Sequence, residues 1–335
     1  MKSWHMSLGA GLDGLVLRER DVPRPGPREL LLRVHAASLN QRQISILAHG
    51  RYPLPVKADV VALCDGACEV VETGEGASRW RVGDRVIASI FPHWQDGPFG
   101  PDRAAQLGGS LDGMLAQYVV LHEDALLAIP EHLSYEEAAT LPCAGVTAWN
   151  ALTGGQALKA GDDVLTLGSG GVSLFALQFA KAAGARVIAT TSDDAKAERL
   201  RALGADDVLD HRRLADWGEH VRRLAGGTGV QRVVHVAGAL AQSFRAVAMG
   251  GEIALVGTLG GAGSTMDIGA ALASGATLRP VAAGSRAQLA GVVRLVARHR
   301  LRPVVARVFE FDEAPAALAW YAAGSGLGKT VIRIP

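Results

Sequence analysis

Short runs of alternating polar and apolar residues, separated by turn residues, make up the first 130 residues of the chain. Glu29–Ala36 has the period of two that is typical of a half-buried strand. Val60–Thr73 is a longer β-like stretch that Gly66 interrupts, and Ala116–Leu121 follows another glycine-containing turn. Many short strands between turns predict an irregular β barrel. The Gly-, Pro- and Asp-rich segment Phe91–Ser110 predicts a long surface loop.

The pattern changes from strand-like to helical after Pro130. Ser134 followed three residues later by Glu137 is a capping-box signature, in which each side chain satisfies a free backbone N–H at a helix start. The signature predicts a helix that runs toward Leu141, where Pro142 bends or ends it.

From Asp163 onward, strand-like and helix-like segments alternate. Val164–Leu167 and Arg186–Thr190 are strand-like, and Val172–Ala183 and Ala195–Leu203 are helical. The segments that repeat this alternation are Val230–Val236, Phe244–Met249 and Ile253–Val256, with Gly250 and Gly251 between the last two. Alternation at this length predicts βαβ units and a parallel sheet. Near the end, Leu289–His299 has the spacing of an amphipathic helix, and Thr330–Ile334 predicts a terminal strand that returns to the first domain.

Composition narrows the class of protein. The chain has 335 residues, of which 49% are hydrophobic and 20% charged, and this length suits two domains better than one. A formal charge of +1 predicts binding to neither nucleic acid nor a membrane surface. Three cysteines are too few for a disulfide framework and are typical of a reducing compartment. With neither a secretory leader pattern nor an apolar run of about 18 residues, we expect a cytoplasmic protein.

The predicted strand Val164–Leu167 runs directly into a glycine-rich turn that opens a helix. The cofactor-binding residues predicted in this turn are Gly168, Ser169, Gly170, Gly171 and Val172. The first glycine permits the turn, the second lets the backbone approach a pyrophosphate, and the helix N-terminus offers free N–H groups. An ordinary strand-to-helix turn is the alternative, but a second strand about 20 residues later favours a dinucleotide site. Ser173 replaces the usual third glycine, which predicts slightly wider helix–strand spacing.

The end of the second strand indicates which dinucleotide binds. An NAD enzyme usually has an acidic residue there, which binds the ribose 2′-hydroxyl. Here Thr191 and Ser192 offer hydroxyls without negative charge, and Lys196 follows one helical turn later. Hydroxyls and a lysine suit a 2′-phosphate, so the sequence predicts NADPH. The alternatives are that Asp193 serves a ribose, or that Ser192 and Asp193 only cap the next helix.

The whole chain resembles the medium-chain dehydrogenase/reductase superfamily. The motifs that carry the resemblance are Ser38-Leu39-Asn40, Asp65-Gly66-Ala67, Val82-Gly83-Asp84-Arg85-Val86, Leu141-Pro142-Cys143-Ala144-Gly145-Val146-Thr147-Ala148, Gly168–Val172 and Gly328-Lys329-Thr330-Val331-Ile332. The resemblance implies an α/β protein with a GroES-like β-barrel catalytic domain at residues 1–143 and 285–335. Residues 144–284 would form a Rossmann domain with a doubly wound parallel sheet. The resemblance also implies a homodimer.

Zinc divides the functions of this superfamily. Zinc members hold a catalytic metal with Cys, His or Cys, and Cys, and leave a fourth position open. The matching positions here are Asn40, Cys64 and Cys143, and an amide is a poor zinc ligand. The cysteines of the structural-zinc lobe are absent from Phe91–Ser110. The resemblance therefore implies the zinc-independent, quinone-oxidoreductase-like branch. Zinc held by the two cysteines is the alternative to their packing as small apolar side chains.

The resemblance also assigns candidate catalytic and nicotinamide contacts. Asn40 matches an asparagine near the nicotinamide, and Tyr52 resembles an active-site tyrosine that would donate to a carbonyl oxygen, with turn packing as its alternative role. Thr147 matches a residue that contacts the nicotinamide. The residues expected to border the nicotinamide after a sheet strand are Gly257, Thr258 and Leu259.

These assignments imply an NADPH-dependent reductase of enones or quinones that acts on a small molecule without a metal. The alternatives are an NADP-dependent alcohol dehydrogenase or carbonyl reductase, and a non-catalytic NADPH-binding protein, because a fold alone does not fix function.

Overall fold

The computed structural model describes residues 1–50, 52–259, 266, 268–324 and 326–335. The chain divides into two compact units, one formed by Met1–Val146 with Ser285–Pro335 and the other by Thr147–Gly284. Over the described residues, no helix combines the length and the apolar composition that crossing a bilayer requires.

The strands, in chain order, are β1 (Lys2–Met6), β2 (Val16–Glu19), β3 (Glu29–Ser38), β4 (Val60–Val61), β5 (Asp65–Thr73), β6 (Arg85–Ala88), β7 (Tyr118–His122), β8 (Leu126–Ala128), β9 (Asp163–Leu167), β10 (Arg186–Thr191), β11 (Asp207–Asp210), β12 (Val230–Ala237), β13 (Val247–Leu259), β14 (Thr277–Pro280), β15 (Val305–Glu310) and β16 (Lys329–Arg333). The helices are α1 (Gln41–Leu47), α2 (Tyr135–Ala138), α3 (Val146–Thr153), α4 (Gly171–Ala182), α5 (Asp194–Ala202), α6 (Trp217–Leu224), α7 (Leu240–Ala246), α8 (Ile268–Ser274), α9 (Arg286–His299) and α10 (Ala314–Ala322).

The unit at Thr147–Gly284 is a parallel sheet with helices in the connections between its strands. The strand order is β11-β10-β9-β12-β13-β14, and every neighbouring pair is parallel. The chain moves outward from β9 in one direction and then, after a crossover, in the other, which is the order of a doubly wound Rossmann sheet. The core joins strand side chains to helices α6 and α7, with Leu165, Ile188, Val233, Ile253, Val221 and Phe244 all buried. The predicted doubly wound parallel sheet is confirmed.

The other unit is built around β3. Its main sheet has the order β15-β16-β3-β5-β6-β8, with β7 also paired to β3, and a smaller sheet has the order β2-β1-β4. The terminal strand β16 runs antiparallel to β3, so the predicted return of the chain end to the first domain is confirmed. Strand β3 thus lies between segments from both ends of the sequence.

The predicted break of Val60–Thr73 at Gly66 is wrong in position. The interruption lies between β4 and β5, where Leu63 adopts a left-handed φ of 62°. Gly66 pairs within β5, opposite Ala37 of β3. Glycine is needed there because an added Cβ would lie 2.5 Å from the side chain of Met114. The glycine thus marks close packing on the sheet face, which glycine in a strand often does.

The capping box at Ser134 and Glu137 is confirmed, with both reciprocal hydrogen bonds present. Helix α2 is short, and Pro142 lies in a π-helical turn, Leu141–Gly145, that leads into α3. Near Gly250, the predicted segment Phe244–Met249 divides between a helix and a strand. Phe244 belongs to α7, and β13 continues through Gly250 as one strand.

The loop 91–110 carries an aromatic cluster of its own. The Trp94 and Phe99 ring centroids are 4.8 Å apart, and Phe91 lies 5.1 Å from Phe99 and 5.9 Å from Trp94 in edge-on contacts. The carbonyl oxygen of Trp94 accepts a hydrogen bond from the N–H of Arg286 at the start of α9. Aromatic packing therefore holds the loop in a defined path.

Glu123 is a buried carboxylate that should make folding sensitive to acid. Its Oε2 accepts hydrogen bonds from the N–H groups of Ser78 and Arg79, and its Oε1 accepts one from Arg28. The two backbone N–H bonds and Arg28 lower its pKa to about 2. A depressed folded pKa stabilises the fold at neutral pH, and this contribution is lost as the pH falls from about 4.5 toward 2. We expect Glu123→Gln to lower the free energy of unfolding at pH 7.

The difference between Glu123→Gln and the unmodified protein should shrink steadily as the pH falls through this window. Denaturant unfolding at a series of pH values measures it, with the exposed Glu72→Gln as the matched control. A difference that stays constant from neutral to acid pH would contradict the assigned role of the carboxylate.

Candidate functional site

The turn after β9 has the geometry of a phosphate-binding loop. Gly168 adopts a φ of 74°, which glycine tolerates best, and its N–H donates to the carbonyl oxygen of Thr190. Gly170 is the N-cap of α4, so the free N–H groups of that helix start directly after it. A Cβ added at Gly168 or Gly170 would meet no protein atom within 4 Å. The space beside the loop is therefore open, and the loop fits the pyrophosphate of a dinucleotide.

Helix α4 is anchored to the strand that precedes the loop. The hydroxyl of Ser173 donates to the carbonyl oxygen of Leu167 at 2.7 Å, and Ser173 is buried. At the position of the usual third glycine, a serine thus bonds helix and strand together. Ser169, Gly171 and Val172 are half-buried in the loop and the first turn of the helix.

The residues predicted to select the cofactor differ in how exposed their side chains are. Thr191 is buried in β10, and its hydroxyl donates to the carbonyl oxygen of Asp193 at 3.4 Å. The Asp193 carboxylate caps α5 by accepting from the N–H of Lys196. Ser192 and Lys196 are only half-buried. Asp193 therefore caps α5 with one carboxylate oxygen, and the exposed Asp193 and the half-buried Ser192 and Lys196 are the groups with solvent access.

The remaining predicted nicotinamide contacts belong to α3 and to β13. Thr147 is buried in the first turn of α3, directly after the π-helical turn. Gly257 lies in β13, where an added Cβ would be 3.0 Å from the carbonyl oxygen of Val236. The side chains of Thr258 and Leu259 lie outside the described residues.

A buried polar network joins Asn40 to an acid and a lysine in the unit built from both chain ends. The Lys329 Nζ donates to Oδ1 of Asn40 at 2.6 Å and also to the carbonyl oxygen of Leu39. Nδ2 of Asn40 donates to Oδ2 of Asp65 at 2.8 Å, and the Ser38 hydroxyl donates to the same oxygen at 2.8 Å. All of these side chains are buried, and Asp65 is completely so. Both ends of the Asn40 amide are therefore held by protein groups.

Strand register explains why distant residues meet here. Ser38, at the end of β3, pairs with Asp65 of β5 on one side and with Val331 of β16 on the other. Extending the antiparallel β3–β16 register by two residues places Lys329 opposite Asn40. The lysine is thus brought to the network by the pairing of the terminal strand.

Two thiols lie beside this network. Sγ of Cys64, Sγ of Cys143 and a carboxylate oxygen of Asp65 all lie within 4.8 Å of one another. The hydrogen bond with Cys64, together with burial, raises the pKa of Cys143 well above its ordinary value. Burial also works to raise the pKa of Cys64, but the hydrogen bond with Cys143 and the charge of Arg42 outweigh it and lower that pKa. The pair therefore loses its two protons in separate steps.

Arg42 is a buried cation that links the thiols to Tyr52. Its guanidinium donates to the carbonyl oxygen of Leu107 at 2.7 Å and to Oε1 of Gln106 at 2.8 Å. Its Nε donates to the Tyr52 hydroxyl oxygen at 3.2 Å, and the guanidinium carbon lies 5.1 Å from the Tyr52 ring centroid. Burial opposes its charge, but Cys64 and Tyr52 raise the pKa of Arg42. The guanidinium is therefore a permanent positive charge.

Tyr52 keeps a proton that it can donate. Burial raises its pKa by more than the charge of Arg42 lowers it, so the phenol is protonated at neutral pH. Because Nε of Arg42 already donates to the phenol oxygen, the O–H of Tyr52 is directed toward an acceptor other than Arg42. This is the property required of a donor to a carbonyl oxygen.

The zinc positions present two thiols and one amide. The two thiols and Asp65 have donor atoms that could hold a metal ion, and of the carboxylate oxygens Oδ2 accepts from Ser38 and Asn40 while Oδ1 accepts from the Cys64 thiol. The Asn40 amide presents its nitrogen, not its oxygen, to the Cys64 sulfur at 3.7 Å. An N–H group repels a cation, so Asn40 cannot complete the ligand set in this arrangement.

Arg42, Lys329 and Tyr321 have no predicted role from the sequence. Arg42 lies two residues after Asn40, and Lys329 lies within the closing glycine-lysine motif, so both were close to recognised signals. Burial, followed by the charges of Cys143 and Asp65, raises the pKa of Tyr321. Its position on α10 follows no motif, and only the folded chain shows it.

The comparisons with known proteins cover both units. Residues 26–131 match the alcohol dehydrogenase GroES-like domain, and residues 171–298 match the family described as zinc-binding dehydrogenase. The predicted GroES-like barrel is thereby confirmed. A zinc-type alcohol dehydrogenase-like protein of Schizosaccharomyces pombe is 38% identical over 97% of this chain and 96% of its own length.

Other relatives have names that indicate reductases. A chloroplast envelope quinone oxidoreductase homolog of Arabidopsis thaliana is 36% identical over 62% of this chain and 59% of its own. An acryloyl-coenzyme A reductase of Metallosphaera sedula is 29% identical over 90% of each chain.

Solved structures agree with the fold over the whole chain. A putative alcohol dehydrogenase of Sinorhizobium meliloti has a TM-score of 0.90 at 38% identity, covering 99% of this chain and 98% of that one. A structure described as an NAD-dependent alcohol dehydrogenase has a TM-score of 0.89 at 32% identity and covers 100% of both chains.

The open space beside Gly170 gives a test of nucleotide binding. Gly170 has an ordinary φ of −76°, so Gly170→Ala adds a methyl group without backbone strain or internal contact. We expect unchanged thermal stability and an affinity for NADPH and NADH at least about 10-fold lower, because the methyl would occupy the phosphate's space. Calorimetry or cofactor-fluorescence titration measures the affinity.

Gly161→Ala is the matched control. Gly161 has a φ of 86° and also faces open space, so alanine there strains the backbone away from the loop. Stability should fall while nucleotide affinity holds. Undiminished affinity in Gly170→Ala would show that the dinucleotide does not approach this loop.

Proposed function

The chain belongs to the medium-chain dehydrogenase/reductase superfamily of oxidoreductases, and from this premise we propose that it is an NADPH-dependent, metal-free reductase of enones or quinones. The observation that carries the proposal is the polar cluster of Asn40, Arg42, Tyr52 and Lys329, which provides hydrogen-bond donors and positive charge and in which the amide nitrogen of Asn40, not its oxygen, faces Cys64. The names of the quinone oxidoreductase and acryloyl-coenzyme A reductase relatives support the same reaction class.

In the proposed reaction the protein supplies a hydrogen-bond donor, and the cofactor supplies the hydride. When bound, a reduced nicotinamide supplies the hydride. A conjugated carbonyl that receives hydride at its β-carbon develops negative charge on oxygen, and a donor at that oxygen stabilises the transition state more than the ground state. In the proposal Tyr52 is this donor, because its O–H remains available. Asn40, whose amide nitrogen is bonded to Asp65, is assigned to holding the network.

A quinone needs the same assistance. Its carbonyl oxygens also gain negative charge on reduction, and the fixed charge of Arg42 behind Tyr52 favours that change electrostatically. The small-molecule substrate and the homodimer expected from the sequence remain part of this proposal.

A second candidate function is reversible alcohol dehydrogenation. The observations that favour it are the names of relatives similar over nearly the whole chain, including the zinc-type protein of Schizosaccharomyces pombe. That reaction requires an alcohol oxygen to be polarised, by a metal in the zinc enzymes. The orientation of the Asn40 amide argues against a metal, so we place reduction of an activated double bond first.

The proposal of NADPH rests on charge at the end of β10. Asp193 caps α5 through one carboxylate oxygen, and Ser192 and Lys196 lie beside it, half-buried. Strand β11 ends beside β10, where the N–H of His211 donates to the carbonyl oxygen of Thr191, so the exposed Arg212 emerges at the same sheet edge. Two cations and a hydroxyl suit a 2′-phosphate. One structural relative is described as NAD-dependent, so the preference for NADPH over NADH has to be measured directly.

Lys196→Ala should weaken NADPH binding by roughly 1.5–3 kcal/mol, the usual contribution of a hydrogen bond to a charged group, and should leave NADH binding almost unchanged. Dissociation constants for both cofactors give the answer, with the exposed Lys159→Ala as the control for loss of a surface charge. Equal losses for NADPH and NADH would mean that Lys196 does not read the 2′-phosphate.

Tyr52→Phe should lower the turnover of a small enone at least about 10-fold, because loss of an oxyanion donor typically costs about 100- to 1000-fold. NADPH affinity should be nearly unchanged. Steady-state assays of NADPH oxidation with an enone and a quinone panel measure the effect, with Tyr118→Phe in β7 as the matched control. Normal turnover in Tyr52→Phe would remove Tyr52 from the catalytic assignment.

A further inference from the structure

A buried carboxylate, Glu252, joins two arginines on one face of the Rossmann sheet. Its Oε1 lies 2.5 Å from Nη1 of Arg232 and accepts from Nε of Arg279 at 2.8 Å, and Glu252 and Arg232 are 1% and 2% exposed. Its Oε2 accepts from the N–H of Gln156 at 3.0 Å. Register explains the meeting, because Arg232 pairs with Glu252, and Arg279 pairs with Ala254, two residues further along β13. Side chains two residues apart on a strand share a face.

The two arginines hold helix α3 against the sheet. Arg279 donates from Nη1 to Oδ1 of Asn150 at 3.1 Å and from Nη2 to the carbonyl oxygen of the same residue at 2.7 Å. Arg232 donates to the carbonyl oxygens of Ala151 and Gln156. Both the backbone and the side chain of Asn150 are therefore fixed relative to the strands.

Two glycines directly after α3 leave room for this network. A Cβ added at Gly154 would overlap Oδ1 of Asn150, and a Cβ added at Gly155 would overlap Oε2 of Glu252. Any larger residue would displace the amide or the carboxylate, so the close approach of the chain here requires glycine.

The amide of Asn150 extends the network to the carboxyl edge of the sheet. Its Nδ2 donates to the carbonyl oxygen of Ala283 at 2.7 Å, and Asn150 is 7% exposed. An arginine can only donate, so the amide oxygen must face Arg279 and the amide nitrogen must face Ala283. Ala283 lies three residues after β14 and has a left-handed φ of 46°, which alanine rarely adopts. Asn150 thus bridges α3 and the segment 281–284.

These two elements border the half of the sheet to which the nicotinamide is assigned. In a doubly wound sheet a dinucleotide lies across the carboxyl ends of the strands, with one mononucleotide on each half. The glycine loop follows β9 and the cofactor-selecting residues follow β10, so the nicotinamide falls to the half formed by β12, β13 and β14. Segment 281–284 leaves the sheet there. Thr147, a predicted nicotinamide contact, precedes Asn150 by three residues on α3, so the two are neighbours on the helix surface.

We propose that Asn150 is a positioning residue for the nicotinamide. It acts through α3 and segment 281–284, since both ends of its amide are bonded to the protein, and it is anchored to Glu252 by Arg279. Because these bonds lie on one half of the sheet, they orient the nicotinamide and leave the adenosine end unaffected. The inference rests on the dinucleotide-binding part of the proposed function and adds the residue that orients the reacting end.

Asn150→Asp tests the proposal with little change of shape. The carboxylate still accepts from Arg279, but it cannot donate to Ala283, and the two facing oxygens repel each other. NADPH binding is compared with binding of 2′-phospho-ADP-ribose, which has the same adenosine end and no nicotinamide. We expect NADPH affinity to fall at least about 5-fold and fragment affinity to change by less than about 2-fold, because only the arrangement that receives the nicotinamide becomes less populated.

Two further measurements separate positioning from a general loss of structure. The fluorescence lifetime of bound NADPH reports how firmly the nicotinamide is held, and it should shorten in Asn150→Asp. Turnover of a small enone at saturating NADPH should fall at least about 10-fold, because a misplaced reactant reacts slowly even when it is bound. A purely structural residue would instead lower the melting temperature and weaken both nucleotides alike.

Thr153→Ala is the matched control on the same helix. Thr153 is exposed, and its hydroxyl donates to the carbonyl oxygen of Trp149, so both affinities should hold. Arg279→Lys keeps a positive charge beside Glu252 but loses the paired donors on Asn150, and it should weaken NADPH more than the fragment.

Equal losses for the two nucleotides in Asn150→Asp, or an undiminished NADPH affinity, would overturn the proposal. A folded Arg279→Lys variant that weakens both nucleotides equally contradicts it even if Asn150→Asp does not fold.

The proposed reductase and its preference for NADPH can fail separately from this inference. The same comparison with NADH and ADP-ribose detects the unequal loss if NADH is the cofactor that binds. An unequal loss of binding alongside absent enone turnover in the wild type would refute the reductase and leave the role of Asn150 standing.

Discussion

The pairing of β3 with strands from both ends of the chain is the constraint on which the rest of the cluster depends. Ser38 pairs with Asp65 on one side and Val331 on the other, and the three strands together deliver Asn40, the acid and Lys329 to one place. A strand pairing slipped by one residue would turn these side chains to opposite faces. The pairing of the strand backbones therefore holds a hydrogen-bonding partner beside each buried charge, as a buried charge network requires.

The positive charge in this cluster comes from the side chains of Arg42 and Lys329, and this affects which reactions the cluster can assist. A metal would bind an oxygen directly, whereas Arg42 and Lys329 are held by carbonyl and amide oxygens of the protein. Both cations are satisfied by protein oxygens, and in the proposed reaction the O–H of Tyr52 is the donor to the substrate. Such an arrangement suits a reaction in which negative charge develops on a carbonyl oxygen. It suits alcohol oxidation less well, since that reaction relies on direct polarisation of the alcohol oxygen.

The nucleotide loop follows a simpler logic, because it is built from consecutive residues. The loop consists of the end of a strand, two glycines that face open space, and the N-terminus of a helix. Its geometry depends little on contacts with distant residues. The cofactor-selecting edge depends more on context. Asp193 caps α5 with one carboxylate oxygen and Thr191 is buried in β10, and only the folded chain reveals both features.

The sequence alone determined the local features, including the capping box at Ser134, the glycine loop after β9, the alternating strands and helices, and the lack of a zinc-like ligand at Asn40. These depend on neighbouring residues, whose spacing sets hydrogen bonds within a few positions. Tertiary structure decided what the distant residues do. Lys329 meets Asn40 across 289 positions, and Arg42 meets Gln106 across 64. Such contacts are set by strand register and burial, and a linear pattern does not carry that information.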